Sequence, residues 1–441
     1  MSTARRVDLV IDAGWVIPVE PAGAVLADHS AVVHAGRIVA VQPRRAAAAA
    51  FDAARRVSLP QHVLIPGLVN LHTHAAMTLL RGLADDRPLM TWLSEHIWPA
   101  ERRHVSPEFV YDGTLLGCAE MLRGGVTCAN DMYFFPEAAA QAFLDAGMRA
   151  SVGLIAIDFP SAYASDADDY LAKGLAARDR LRDRERLSFC MAPHAPYTVG
   201  DRALARIATL AEELDLPVHI HLHETADEVR SGIQSHGVRP IERLAGLGLV
   251  TERLIGVHAV HLTPTEIALL ARHGASIAHC PSSNLKLASG FAPIATLLAH
   301  EINVGLGTDG AASNNRLDLL QEMRTAALVA KAVAGNAAAM PADAALRCAT
   351  LGGARALGLD QLIGSIVPGK AADLCAVALG NNPETQPCYD PLSHLVYACG
   401  REHVTHVWVG GATVLEDRAL VGLDLRELEK RARLWQTRLL A

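Results

Sequence analysis

Eight short apolar runs through the middle of the chain constrain the fold more than any other feature of this sequence. They are LVNLH (68–72), VTCAND (126–131), RASVGLIAI (149–157), LSFCMAP (187–193), PVHIHLH (217–223), LIGVHAV (254–260), ASIAHC (275–280) and INVGLGTD (302–309). Most are separated by stretches such as DRALARIATLAEELD and PTEIALLARHG, whose apolar residues recur at helical spacing. Eight strands alternating with helices is the pattern of a (β/α)8 TIM barrel, an α/β fold with its reactive residues at the C-terminal ends of the strands. A doubly wound open sheet is the alternative that alternation also allows.

The two ends of the chain read differently. Residues 7–58 contain VDLVIDAGWVI and AVVHAGRIVAVQ, strand-like runs with an Ala35-Gly36 turn, followed by a helix-prone alanine run at 46–50. Strand patterning returns after about residue 370 in ADLCAVAL and THVWVGGATVLED. The ends are expected to pair into one small β-sandwich-like domain made of residues 1–60 and 369–441, leaving 61–368 for the barrel. The final LDLRELEKRARLWQTRLL predicts an amphipathic surface helix.

With 51% hydrophobic and 20% charged residues over 441 positions, the chain has ample apolar surface for a large core, which excludes disorder. A net charge of −7 argues against nucleic acid or an anionic membrane as partner. No run approaches the ~20 apolar residues of a membrane span, and MSTARRVDLVIDAGWVI lacks the apolar core of a signal peptide. The eight cysteines are scattered without a CxxC pair, which disfavours a zinc ribbon or a dithiol site and fits a reduced, cytoplasmic setting.

Polar residues gather where the barrel would place its active site. His72 and His74 end the first run, His194 follows the fourth, His221 and Glu224 lie at the fifth, His258 at the sixth and Asp309 at the eighth. Their spacing averages about 34 residues per βα unit, which suits a barrel of ordinary size. In a chain with 20 histidines a single HxH carries little weight. The constellation carries more: alternation puts His72 and His74 on one face, and imidazoles with a carboxylate and one open position make a catalytic zinc site. In HIHLHET, however, His219, His221 and His223 alternate onto the same face, so phase does not choose between them. GLGTDG (305–310) fits GxGxxG, yet it closes the series of strands and does not open a βαβ unit, so no nucleotide cofactor is expected.

PGLVNLHTHAAMTLLRG, APHAPYT, HIHLHET, VHAVHLT, NLKLASG and GLGTDGAASNN, in that order, resemble the amidohydrolase superfamily. Within it they are most similar to the 5'-methylthioadenosine/S-adenosylhomocysteine deaminases, over nearly the whole chain. The resemblance implies His72, His74, His221 and Asp309 as metal ligands, with one Zn2+ per chain and Fe2+ or Mn2+ as alternatives. His221 is the ligand of its strand because it gives the HxxE spacing to Glu224; His219 and His223, like His261 and His279, are then expected to pack or support. Ser313, Asn314 and Asn315 are expected only to order their loop.

The resemblance further implies hydrolytic deamination of a purine nucleoside. Asp309 would take a proton from water, Glu224 would deliver one to the ring, and His258 would orient the attacking oxygen. His194, Glu101 and Trp92 would contact substrate together with Glu224 and Asp309, Glu101 through the ribose hydroxyls. The region Ala150–Ala177 contains no arginine, and Asp158, Asp166, Asp168 and Asp169 make it acidic. A substrate tail bearing a carboxylate is therefore disfavoured against a methylthio group packed on Trp92 or Met77, unless Arg81, Arg87 or a neighbouring subunit supplies a cation. A homo-oligomer is expected. Guanine or s-triazine deaminases and chlorohydrolases with the same metal site are the nearest alternatives, and a non-catalytic scaffold on the same barrel a remote one.

Overall fold

The computed structural model describes residues 4–380 and 383–440. Its barrel strands are β1 (Leu68–Thr73), β2 (Val126–Asp131), β3 (Arg149–Ala156), β4 (Leu187–Pro193), β5 (Val218–Leu222), β6 (Leu254–His258), β7 (Ser276–His279) and β8 (Asn303–Leu306). All eight coincide with the runs read from the sequence. They pair in parallel in chain order, as expected of strands buried on both faces.

Closure falls between β8 and β1. There the Asp309 amide donates to the His72 carbonyl at 3.0 Å. The Asn70 side chain donates to Thr308 Oγ1 at 2.8 Å and accepts from the Thr308 amide at 3.0 Å. Glycine lets the two strands approach this closely: a Cβ on Gly307 would lie 2.8 Å from His72 Cβ, and one on Gly305 would lie 2.5 Å from Leu71 Cδ2. The glycines of GLGTDG thus serve strand packing and not a phosphate.

The helices form where their apolar spacing allows one buried face. Asp201–Glu213 buries Ala203, Leu204, Ile207 and Ala211. Pro264–Arg272 begins at a reciprocal box between Thr263 and Glu266.

Both chain ends enter one continuous eight-stranded sheet. Arg5–Val16 runs parallel to Phe51–Pro66, which pairs antiparallel with Leu374–Ala378. The Ala35-Gly36 turn is present with positive φ at both residues, the geometry that matches strand twist in a two-residue hairpin. The alanine run forms the short helix Arg44–Ala50, buried only at Ala47.

A buried ion pair joins sheet and barrel: Arg149, at the start of β3, reaches Asp373 at 3.2 Å, and Asp373 also accepts the Gly410 amide. The terminal helix, Leu425–Leu440, seats Trp435 against Phe109, with its indole N–H on Asp112 at 2.9 Å. No helix among the described residues is long and apolar enough to cross a membrane.

Candidate active site

The ends of β1, β5, β6 and β8 converge. The His72 and His74 rings lie 4.7 Å apart, His72 and His221 5.0 Å, and His221 and His258 5.6 Å in a stacked pair. Asp309 Oδ1 lies 3.2 Å from His72 Nε2 and 3.3 Å from His74 Nε2. His72, His74 and Asp309 form one set of closely grouped donor atoms, and His72, His221 and His258 form another. Sharing His72, the two sets describe one centre. His223, His258 and Asp309 all take positive φ, sparsely populated except by Asn, Asp and His, and each turns the chain sharply where a strand ends.

Each nitrogen facing away from the centre has a partner. His72 Nδ1 meets His219 Nε2 at 2.9 Å, His74 Nδ1 the Met132 carbonyl at 2.6 Å, and His221 Nδ1 the His194 carbonyl at 2.7 Å. Donating from Nδ1 leaves Nε2 with its lone pair, the form a metal requires. Burial pushes His72 down to about 4 and His221 well below the ordinary imidazole range, so both rings are neutral at pH 7. His72 Nε2 is fully buried and makes no hydrogen bond. That orphaned atom, beside a carboxylate and two further imidazoles, fits a zinc ion.

Two carboxylates at the centre are driven in opposite directions. Burial opposes ionisation of Asp309, but the adjoining His72 ring, with His74 and His258, outweighs it and holds the group well below the usual carboxylate range. Its Oδ2 accepts from Ser283 at 2.6 Å and Ser313 at 2.7 Å. Glu224 is pushed up, by burial first and by the charge of Asp309 besides, against the opposing pull of His258. Its Oε2 lies 3.8 Å from His258 Nε2, whose ring is oriented by Asn284 Oδ1 at 2.8 Å from Nδ1.

Glu224 owes its place to a helix start. Thr225 caps Ala226–His236 by accepting the Glu228 amide, and Glu228 turns back to accept the His223 and Glu224 amides, both at 2.8 Å.

A cavity of about 850 Å³ opens above these groups. His74, His194, His221, Glu224, His258 and Asp309 line its floor, and Met77, Trp92, Ile155, Ile157, Phe134 and Leu287 supply apolar walls. Glu101 lies on this wall with Tyr133 donating to it at 2.7 Å; burial nonetheless pushes its carboxyl up to about 7. All the residues predicted from the sequence therefore meet in one place.

The segment after β3 lines the cavity with Phe159, Pro160, Ser161 and Ala162, but none of its four aspartates is on that lining, and Asp158 accepts the Gly200 amide. Asp166 caps Ala167–Leu181, Asp168 pairs with Arg202 and Arg206, and Asp169 pairs with Lys173. Arg81 is held by Glu120 and the Asn315 carbonyl; among the described residues the arginine lining the cavity is the solvent-exposed Arg102. Sequence reasoning missed Ser283, Asn284, Glu228 and the bond from Ser313 to Asp309. Only two of these left a local signal: a hydroxyl one helical turn beyond Asp309, and the capping pattern Thr-Ala-Asp-Glu at 225–228.

A closed parallel barrel with neutral imidazoles and an ionised carboxylate at its strand ends defines a metal-dependent hydrolase. The chain belongs to the amidohydrolase family, whose sequence model matches residues 63–414. It is 47% identical, over 100% of its own length and 99% of the relative's, to a 5-methylthioadenosine/S-adenosylhomocysteine deaminase of Saccharophagus degradans. A crystal structure of an adenosine deaminase from Xanthomonas campestris with bound zinc superposes with a TM-score of 0.98 at 52% identity, covering 99% of each chain. Guanine deaminase of E. coli superposes with a TM-score of 0.82 at 25% identity, over 92% of this chain and 99% of that one.

Proposed function

We propose that this chain catalyses zinc-dependent hydrolytic deamination of adenine nucleosides (5'-methylthioadenosine, adenosine and S-adenosylhomocysteine), releasing the inosine analogues and ammonia. The observation that carries this reading is the division between the two carboxylates: Asp309 held down towards its ionised form beside His72, Glu224 pushed up towards its protonated form by burial. Such a split assigns a base and an acid within one site.

His72, His74, His221 and Asp309 would hold the ion, one per chain, since the two donor sets share His72. Lys173, which could otherwise be considered for bridging a metal pair, is engaged with Asp169 and the Tyr163 carbonyl. Zinc bound there supplies the Lewis acidity that brings the pKa of water from ~16 towards ~7.

The remaining work belongs to side chains. Asp309 accepts a proton from the attacking water. Glu224 gives its own proton to N1 of the purine as oxygen adds at C6, so the ring gathers no uncompensated charge. His258 steadies the entering oxygen. The bond from C6 to the amino nitrogen then breaks as the proton held by Asp309 leaves with that group as ammonia, while the C6 hydroxyl proton passes to Glu224, forming the carbonyl and restoring the acid. Glu101 accepts the ribose hydroxyls, His194 contacts the purine, and Trp92 and Met77 pack the 5' substituent.

Guanine or s-triazine deamination would use the same floor. A half-buried Glu101 on the cavity wall favours a ribose-bearing substrate, as does the high identity to the nucleoside deaminases. The test is ammonia release, with purine absorbance followed in parallel, across adenosine, methylthioadenosine, S-adenosylhomocysteine, guanine and an s-triazine. Turnover confined to the adenine nucleosides is expected; preference for guanine or the triazine overturns the reading.

A further inference from the structure

Two consecutive residues just past β2 touch the two ends of the site. The Met132 carbonyl accepts from His74 Nδ1 at 2.6 Å, and the phenol of the next residue, Tyr133, donates to Glu101 Oε1 at 2.7 Å. Both Tyr133 and Glu101 line the cavity.

The segment that carries them has little freedom. The Met132 amide donates to the Thr73 carbonyl at 3.0 Å, and Asp131 Oδ1 accepts the Ala75 amide at 2.7 Å, so the backbone is tied on both sides of His74. The Tyr133 ring is 4% exposed and packs edge-on against Phe134, with centroids 5.2 Å apart.

Glu101 stands on different footing. It sits on the short helix Trp98–His104, and among the described residues the Tyr133 phenol is its one side-chain partner. A glutamate held by nothing else has several rotamers open to it, and one bond from a rigid phenol selects among them. The direction of that bond is fixed by the phenol. Burial first, and the charge of Glu101 second, raise its pKa well above the ordinary value, so it keeps its proton and donates. Oε1 then retains one lone pair and Oε2 both, enough to accept two further hydroxyls.

We propose that Tyr133 positions the Glu101 carboxylate to accept the 2'- and 3'-hydroxyls of the ribose, and that the rigid step from Met132 to Tyr133 sets the distance between that grip and the metal centre. Tyr133 acts through Glu101 and is a positioning residue. Its role rests on the proposed deamination of a ribose-bearing substrate.

The zinc-loaded enzyme is assayed on adenosine and on 2',3'-dideoxyadenosine, which lacks both hydroxyls. Wild type is expected to favour adenosine at least about tenfold in kcat/KM. Tyr133→Phe keeps the ring and loses the hydroxyl. It is expected to raise KM for adenosine about tenfold with kcat within about threefold, while kcat/KM for the dideoxynucleoside changes less than about twofold. In a Glu101→Ala background the same substitution is expected to change kcat/KM for adenosine less than about twofold, because the phenol works through the carboxylate. Circular dichroism and zinc content check that each variant is folded and loaded. Equal losses on the two substrates mark a general packing role and overturn the proposal. So does a Tyr133→Phe enzyme that favours adenosine as strongly as wild type, or an undiminished Tyr133→Phe loss in the Glu101→Ala background. A wild type that deaminates both nucleosides without regard to the hydroxyls overturns this role and leaves the function standing, whereas one that deaminates neither overturns the function and this role with it.

Discussion

Replacing His219 by leucine tests how the barrel prepares its metal ligands. His219 Nε2 and His72 Nδ1 lie 2.9 Å apart, both rings are fully buried, and burial keeps both neutral. Two neutral imidazoles at that distance share one proton. If His219 donates, His72 carries its own proton on Nε2 and cannot bind a cation. If His72 donates, its Nε2 keeps the lone pair, and the proton of His219 sits on Nδ1. His219 Nδ1 is without a partner in the structure, a cost tolerated for the sake of the ligand tautomer.

Leucine removes the acceptor, leaving a buried N–H on His72 at a penalty of ~1–3 kcal/mol, or a ring reverted to the tautomer that cannot ligate. Either route is expected to weaken zinc binding 10–100-fold, ~1.4–2.8 kcal/mol. His219→Gln returns a carbonyl oxygen near the lost Nε2 and is expected to bind within about threefold of wild type. The assay is zinc titration of the stripped protein against a competing chelator, with circular dichroism to check that each variant folds. Folded His219→Leu with affinity within twofold of wild type would refute the tautomer argument, as would a glutamine variant no better than leucine.

Glu224→Gln is expected to retain zinc but lose at least ~100-fold in kcat, read by purine absorbance alongside metal analysis. Glu101, whose carboxyl burial pushes up to about 7, is neutral below that pH and an anion above it. Only the anion accepts both ribose hydroxyls, so KM for adenosine is expected to fall as pH rises from 6 to 8, and Glu101→Gln to raise KM about tenfold and flatten the profile. The apolar cavity wall favours a methylthio group over an amino-acid tail, because Arg102 on the lining is solvent-exposed, where a pair with the tail carboxylate is worth only about 0–1 kcal/mol. kcat/KM for methylthioadenosine is expected to exceed that for S-adenosylhomocysteine at least about tenfold, ~1.4 kcal/mol, and equal values in one assay would remove the specificity argument.

The barrel was legible because its signal is local. Each buried parallel strand is a short apolar run, and all eight are bounded within a few residues by the polar groups they carry to the rim. The histidines and carboxylates were legible for the same reason, since barrel topology turns strand ends into neighbours without further information. What escaped was every contact made across the barrel by a residue with no pattern of its own. Ser283 and Asn284 meet Asp309 and His258 only because β7 lies between β6 and β8. The role of His219 was legible only as packing or support: the alternation of HIHLHET put three histidines on one face, and which ligand His219 supports, His72, emerges only across the barrel. The acidic segment after β3 misled in the opposite direction, because helix caps and ion pairs look the same in sequence as charges lining a pocket.

The most direct measurement is a zinc titration of the metal-stripped chain with methylthioadenosine deamination as the readout. Activity should be absent at the start, rise linearly and break at one equivalent per chain, and His221→Ala should show neither zinc binding nor turnover. A break at two equivalents, or full activity in the stripped protein, would contradict a single ion held by His72, His74, His221 and Asp309.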